Sequence, residues 1–142
     1  MSSELSQSAE DYLERIHELI KNKGSAHVAD IAQSLNVSLP SVTLMVQKLA
    51  DAGYLSYEKY KALTLTDAGR AVAEKISDRH TVLAGFFTLF DLDDETQARD
   101  IEGIEHHLSP DTLKTLADLT TFFDEHPEIL KKFKAKSQRI DK

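Results

Sequence analysis

Three residues, Asn36-Val37-Ser38, separate two short helical patterns and leave room for nothing but a tight turn between them. Upstream, Val28, Ile31, Ala32 and Leu35 recur at helical spacing and predict a helix over 28–35. Downstream, Ser38 is a good N-cap and Pro40 suits the first helical turn. The helix predicted from there to about residue 52 carries Val42, Met45, Val46 and Leu49 on one face, and Gly53 stops it. The period then changes: 54–57 and 62–65 read as two short strands around Glu58-Lys59-Tyr60-Lys61. Two helices across a tight turn, followed by a hairpin, make a winged helix-turn-helix pattern.

The flanks are helical. Tyr12, Ile16, Leu19 and Ile20 predict a helix over 9–23 that Gly24 ends, with Asp11, Glu14 and Glu18 on a different stripe. Thr66-Asp67 caps a long helix to about residue 90, whose apolar positions are Val72, Ile76, Leu83, Phe86 and Phe87. Segments 94–108, 110–123 and 127–139 read as three more helices, punctuated by Ser109-Pro110 and His126-Pro127. No internal repeat and no glycine-rich phosphate loop is present. The expected fold is mainly α: a winged helix-turn-helix domain with a small two-stranded wing over 1–66, and an all-helical domain over 67–142.

Composition narrows the chemistry. The chain has no cysteine, which excludes disulfides, thiolate catalysis and thiolate metal sites. Any metal must be held by carboxylates, imidazoles, carbonyls and water. The net charge of −7 is wrong for indiscriminate nucleic-acid binding, but it is unevenly spread. Over 25–66 the acids Asp30, Asp51 and Glu58 are balanced by Lys48, Lys59 and Lys61, so the whole excess lies elsewhere. No apolar run approaches the roughly 20 residues a bilayer requires, and the first ten residues hold no signal-peptide-like stretch. The expectation is a cytoplasmic protein with no membrane partner.

In a winged helix-turn-helix the second helix enters the major groove by its N-terminal half. The residues off its apolar face, with Pro40 at its leading end, are Ser41, Thr43, Leu44, Gln47 and Lys48. Hydroxyls and Gln47 can read base edges, Leu44 can touch a thymine methyl, and Lys48 can neutralise phosphate. Lys59 and Lys61 at the hairpin tip are placed to grip the DNA backbone. The competing reading is that these are the solvated faces of a small helical module that binds protein.

The most informative string is Ile101-Glu102-Gly103-Ile104-Glu105-His106-His107-Leu108. Ile101, Ile104 and Leu108 read as a buried stripe. Glu102, Glu105 and His106 stand at i, i+3 and i+4, so on a helix they share a face and can converge on one cation. An ordinary acidic helix surface has the same spacing. Gly103 costs about 1 kcal/mol relative to Ala within a helix, which a close approach by another segment would explain. His107 points elsewhere. His80 lies beside the apolar face of the long helix, where a hydrogen-bonded core histidine is the ordinary reading. Asp11 and Glu14 would ordinarily be solvated carboxylates.

Taken together, the chain resembles the DtxR family of metal-dependent repressors. The resemblance covers 9–123 and rests on Glu10-Asp11-Tyr12-Leu13-Glu14, Ser41-Val42-Thr43, Met45-Val46-Gln47-Lys48-Leu49, Tyr57-Glu58-Lys59-Tyr60, Arg79-His80 and the 101–108 string. It implies metal ligands at Asp11, Glu14, His80, Glu102, Glu105 and His106, and two Mn2+ ions per subunit with Glu102 as the bridging carboxylate. It implies a homodimer whose helical domain binds metal and dimerises, a double-stranded DNA operator with two-fold symmetry, and no organic cofactor or enzymatic activity. Asp11 stands where iron-sensing members carry methionine, and Leu44 stands where a basic residue is common. The SH3-like domain of larger members is not covered.

Four carboxylates brought together repel one another until cations cancel their charge. Metal bound by Asp11 and Glu14 together with the other four would tie the first helix to the helical domain. In a dimer this would set two recognition helices ~34 Å apart, or a multiple, for successive half-sites. Three alternatives remain from the residues alone: an iron- or zinc-preferring regulator of the same fold, a di-metal carboxylate oxidase, and a winged-helix regulator gated by an organic ligand or a partner protein. The oxidase needs four long helices and two Glu-x-x-His units, whereas the first 66 residues here are short helices and a hairpin.

Overall fold

Ser6 opens the first helix by accepting a hydrogen bond from the Ala9 N–H at 3.0 Å, satisfying one donor that a helix N-terminus leaves open. In this computed structural model, which describes residues 5–137, that helix is α1 (Gln7–Lys23). It starts two residues before the predicted beginning at residue 9, because the polar cap sets its start. Gly24 ends it at φ 88°, a left-handed conformation that suits glycine. The chain divides into two compact units, Met1–Ser77 and Asp78–Lys142.

The first unit continues with α2 (Val28–Leu35) and α3 (Leu39–Asp51). The His27 N–H donates to Asp30 Oδ2 at 3.0 Å to start α2, and Asn36, at φ 57°, ends it. Ser38 then accepts from the Ser41 N–H at 3.3 Å and Pro40 lies in the first turn of α3, so the tight turn has the residues and caps predicted for it. Leu13, Ile16, Ile31, Val42, Val46 and Leu63 are buried to within 1% of completely and form the core with Leu49 and Leu55. Burying each such side chain contributes about 1.5–3 kcal/mol.

The wing is shorter than the predicted strands. β1 (Leu55–Ser56) and β2 (Thr64–Leu65) pair antiparallel, Leu55 opposite Leu65 and Ser56 opposite Thr64. The reason is local. The Leu63 N–H donates to Ala26 O at 2.8 Å, outside the ladder, and Lys61 N–H closes a turn on Glu58 O with Tyr60 at φ 67°. Thr66 then joins the wing to α4 (Asp67–Leu89): its Oγ1 donates to Gly53 O at 2.7 Å and accepts from the Gly69 N–H at 3.1 Å. Gly69 is required by packing, since a Cβ there would lie 1.9 Å from the Tyr54 carbonyl oxygen.

The second unit holds the rest of α4, α5 (Asp94–Ile104), α6 (Pro110–Glu125) and α7 (Pro127–Lys136). Asp93 caps α5 by accepting from the Thr96 N–H at 2.7 Å, and Ser109 caps α6 by accepting from the Thr112 N–H at 3.1 Å. The Phe90 ring meets Phe86, Phe123 and Phe133 edge to face, at centroid distances of 5.1, 5.8 and 5.4 Å. These contacts join α4, α6 and the last helix through one aromatic residue. The final predicted helix ends at Lys136, and Arg139 lies outside the described residues. Among the described residues no helix is long and apolar enough to cross a membrane.

Three expectations for α5 are corrected. The helix stops at Ile104 instead of running to 108, because the chain turns through 105–107 toward Ser109, which must adopt cap geometry before Pro110. Ile104 is exposed, so the buried stripe reduces to Ile101 with a half-buried Leu108. A Cβ on Gly103 would meet nothing within 4 Å, so no close approach among the described residues accounts for that glycine.

Candidate metal centre and nucleic-acid interface

Within the second unit, α4 and the C-terminal end of α5 bring four predicted donor residues together. Glu105 is the C-cap of α5, at φ −59° and ψ −25°, so the backbone is still helical where its side chain leaves the axis. His106 follows in the turn. The spacing of Glu102, Glu105 and His106 therefore survives even though the helix ends early. Donor atoms of these three lie within 4.8 Å of one another. His106 Nε2 is 3.5 Å from Glu105 Oε2 and 3.8 Å from Glu102 Oε2.

His80 approaches from α4. Its Nδ1 is 3.1 Å from Glu105 Oε1, while 52% of its side chain is exposed. It is therefore no core histidine. Glu105 is the reverse case: its side chain is only 2% exposed, yet it lies between two imidazoles, one on each carboxylate oxygen. Glu105 thus stands between the two histidines, while the Glu102 side chain beside His106 is 55% exposed. His107 is exposed and stands apart from this group.

The donor set fits a divalent cation of intermediate hardness. It offers two carboxylates and two imidazoles and no sulfur, a mixture suited to Mn2+ and neighbouring first-row ions. Buried carboxylate oxygens beside neighbouring carboxylates are costly unless paired or neutralised, so the cluster favours a positive guest.

Asp11 and Glu14 lie in the first unit, one helical turn apart on α1, and both are half-buried. Their neighbours on the same helix, Tyr12, Leu13 and Ile16, are core residues, so α1 has one face locked in the core and these carboxylates beside it. Burial pushes the Tyr12 hydroxyl above its ordinary pKa, in keeping with an apolar surround.

The reader surface lies in the same unit. α3 buries Val42, Val46 and Leu49 and exposes Pro40, Ser41, Gln47 and Lys48, with Thr43 half-buried. Leu44 is 66% exposed on the same helix. Lys59 and Lys61 are exposed at the wing, where Lys61 pairs with Glu58 at 2.8 Å and Lys59 Nζ sits 5.2 Å from the Tyr60 ring centroid. Tyr60 itself is 91% exposed at the wing tip, and no sequence periodicity marks it. Only its place at the centre of a lysine-rich hairpin turn could have singled it out.

Two family models match the chain in succession. A family model described as iron dependent repressor, N-terminal DNA binding domain, matches residues 4–63. A second, described as iron dependent repressor, metal binding and dimerisation domain, matches 66–134. The HTH-type transcriptional regulator MntR of Lysinibacillus sphaericus (strain C3-41) is 48% identical over 128 residues, which span 90% of this chain and 92% of that protein. Its namesake in Listeria monocytogenes serotype 4a (strain HCC23) is 45% identical over 128 residues, 90% of each chain. Among solved structures, a manganese-dependent transcriptional repressor in complex with manganese is similar at a TM-score of 0.72 and 25% identity. That match covers 80% of this chain and 53% of the other, so this chain spans about half of that repressor's length. With both family models matched and near-half identity across nine-tenths of its length, the chain belongs to the iron-dependent repressor family.

Proposed function

We propose that the chain is a manganese-responsive, DNA-binding transcriptional repressor of metal-uptake genes, acting in the cytoplasm as a homodimer and not as an enzyme. Its reader is residues 1–66 and its sensor residues 67–142. The observation that carries the reading is the placement of Glu105 between His80 and His106, with Glu102 beside them. Such a group of donors, in a chain whose relatives are transcriptional regulators, is best used as a sensor.

The family resemblance extends the ligand set to Asp11, Glu14, His80, Glu102, Glu105 and His106, which would hold two ions per subunit. Asp11 and Glu14 are assigned by their one-turn spacing on α1, their half-burial and the family resemblance. When bound, divalent cations would supply positive charge that cancels the carboxylates. The residues do the rest. His80 and His106 orient the Glu105 carboxylate, and α1 carries any constraint on Asp11 and Glu14 into the core of the reader through Leu13 and Ile16. In a dimer this restricts the two α3 helices to one arrangement on a two-fold symmetric operator, removing an ordering cost from DNA binding. Pro40, Ser41, Thr43, Gln47 and Lys48 face the groove, and Lys59 and Lys61, with Tyr60, meet the backbone beside it.

The test is enrichment of duplexes from a random pool, followed by anisotropy titration of the winning sequence at fixed ionic strength. Mn2+, Fe2+, Co2+ and Zn2+ are compared, with the wild type beside His80→Ala. The expected result is operator affinity that rises with Mn2+ in the wild type and stays flat in the variant. Linkage requires DNA to tighten Mn2+ binding by the same factor. Operator affinity indifferent to every metal would refute the reading. A stronger response to Fe2+ or Zn2+ at equal occupancy would transfer it to an iron- or zinc-preferring regulator.

A further inference from the structure

We infer that Arg79 is a positioning residue for the metal centre, holding the backbone of Glu105 and the turn that follows it in place before any metal arrives. Consecutive residues of α4 reach the same residue of α5. His80 Nδ1 meets the Glu105 carboxylate at 3.1 Å, while Arg79 Nη1 donates to the Glu105 backbone carbonyl at 3.4 Å and to the Leu108 carbonyl. Glu105 is thus held at both ends, by its side chain and by its main chain.

Arg79 is 5% exposed, and taking a guanidinium out of water is costly unless strong partners replace the lost hydration. Among the described residues its hydrogen-bond partners are those two backbone carbonyls and no carboxylate. The Glu105 carbonyl is at the C-cap of α5, where the last carbonyls lack intrahelical donors and carry the negative end of the helix dipole, and the Leu108 carbonyl lies in the segment that follows. Both bonds come from Nη1, held in place by a planar guanidinium, whereas a lysine ammonium ends in a shorter, rotating point charge. The same turn is where the helix departs from the run to 108 that its sequence predicts. Arg79 therefore sets the path of residues 105–108, and with it the direction in which Glu105 and His106 leave the backbone.

The metal arm of the test rests on the manganese reading above; the other arm does not. Arg79→Met and Arg79→Lys are made in the full chain. Amide hydrogen exchange is followed across the metal-free protein, and Mn2+ binding is followed by calorimetry and by loss of the free-ion paramagnetic resonance signal. In Arg79→Met, exchange over 105–109 is expected to accelerate selectively, and Mn2+ to bind about ten- to hundredfold more weakly, as when an outer partner of a metal ligand is removed. Operator affinity at saturating Mn2+ is expected to stay at the wild-type level, and Arg79→Lys to recover only part of the loss. If Arg79→Met does not fold, Arg79→Lys carries the test with a smaller change of the same pattern. Wild-type exchange over 105–109 would overturn the inference, as would faster exchange spread evenly through α4 and α5, the mark of a purely structural role. Wild-type protein that fails to bind Mn2+ would count against the manganese reading alone, because the metal-free exchange still decides the role of Arg79.

Discussion

His80 and Glu105 stand 25 residues apart in the chain and 3.1 Å apart in space, Nδ1 to Oε1. The contact joins the middle of α4 to the C-cap of α5, and a carboxylate that helical periodicity groups with Glu102 lies between two histidines. Glu105 is the hub of the cluster, and its neighbours differ in how far they depend on it.

Substitution should expose that difference. Glu105→Gln keeps the shape of the side chain and removes its charge, and we expect it to weaken Mn2+ binding more than about a hundredfold, beyond the ten- to hundredfold typical of outer-sphere changes. Glu102→Gln should cost less, because the Glu102 side chain is 55% exposed against 2% for Glu105 and water can take its place. Calorimetric titration of both variants decides the order, and a larger loss for Glu102→Gln would favour the bridging role that the resemblance implies for Glu102.

The carboxylates of α1 test whether sensing and reading are coupled. Asp11→Ala and Glu14→Ala remove no core side chain, so both proteins should stay folded by circular dichroism while Mn2+ no longer raises operator affinity fully. A winged-helix regulator controlled by an organic ligand would show no such change. Operator titrations with and without Mn2+ separate the two outcomes.

Two glycines make opposite predictions for stability. Gly69→Ala forces a Cβ to within 1.9 Å of a backbone oxygen, and should destabilise the first unit by ~3 kcal/mol or more, at the upper end for overpacking. Gly103→Ala meets nothing within 4 Å and should stabilise its helix by about 1 kcal/mol. Urea unfolding measures both, and a destabilising Gly103→Ala would mean that something packs against that position in the assembled protein.

Asp93 predicts a pH dependence. Its hydrogen bond from the Thr96 N–H is the main cause holding its carboxyl below the ordinary Asp pKa. A carboxylate with a lowered folded-state pKa adds stability above its unfolded value, and that stability is lost as pH falls through the folded one. Stability should therefore decline on acidification through and below the ordinary Asp range. Asp93→Asn, which caps a helix about as well, should flatten that part of the profile without destabilising the protein at neutral pH. Thermal unfolding across the acid range shows whether the slope changes.

Much of the fold was legible because its signals are local. Ser38 and Pro40 start α3, Asn36 ends α2, and the apolar positions of α3 repeat at helical spacing whatever surrounds them. Glu102, Glu105 and His106 were legible as a group for the same reason: one turn of helix brings them together before any tertiary contact forms. The wing strands were overestimated because alternation cannot show that the Leu63 N–H is taken by Ala26, a partner 37 positions earlier in the chain.

The Glu102-Glu105-His106 spacing, the capped tight turn and the absence of cysteine were determined by the sequence alone, since residue identity and backbone period suffice for them. Tertiary structure alone decided that His80 is a partner of Glu105 and not a core residue, that Glu105 lies between two histidines, that Ile104 is exposed, and that Arg79 donates to the Glu105 carbonyl at the C-cap of α5. Each of these depends on where a helix ends and which neighbour then meets it. That is a balance of long-range hydrogen bonding and burial, to which the spacing of residues within one helix is blind.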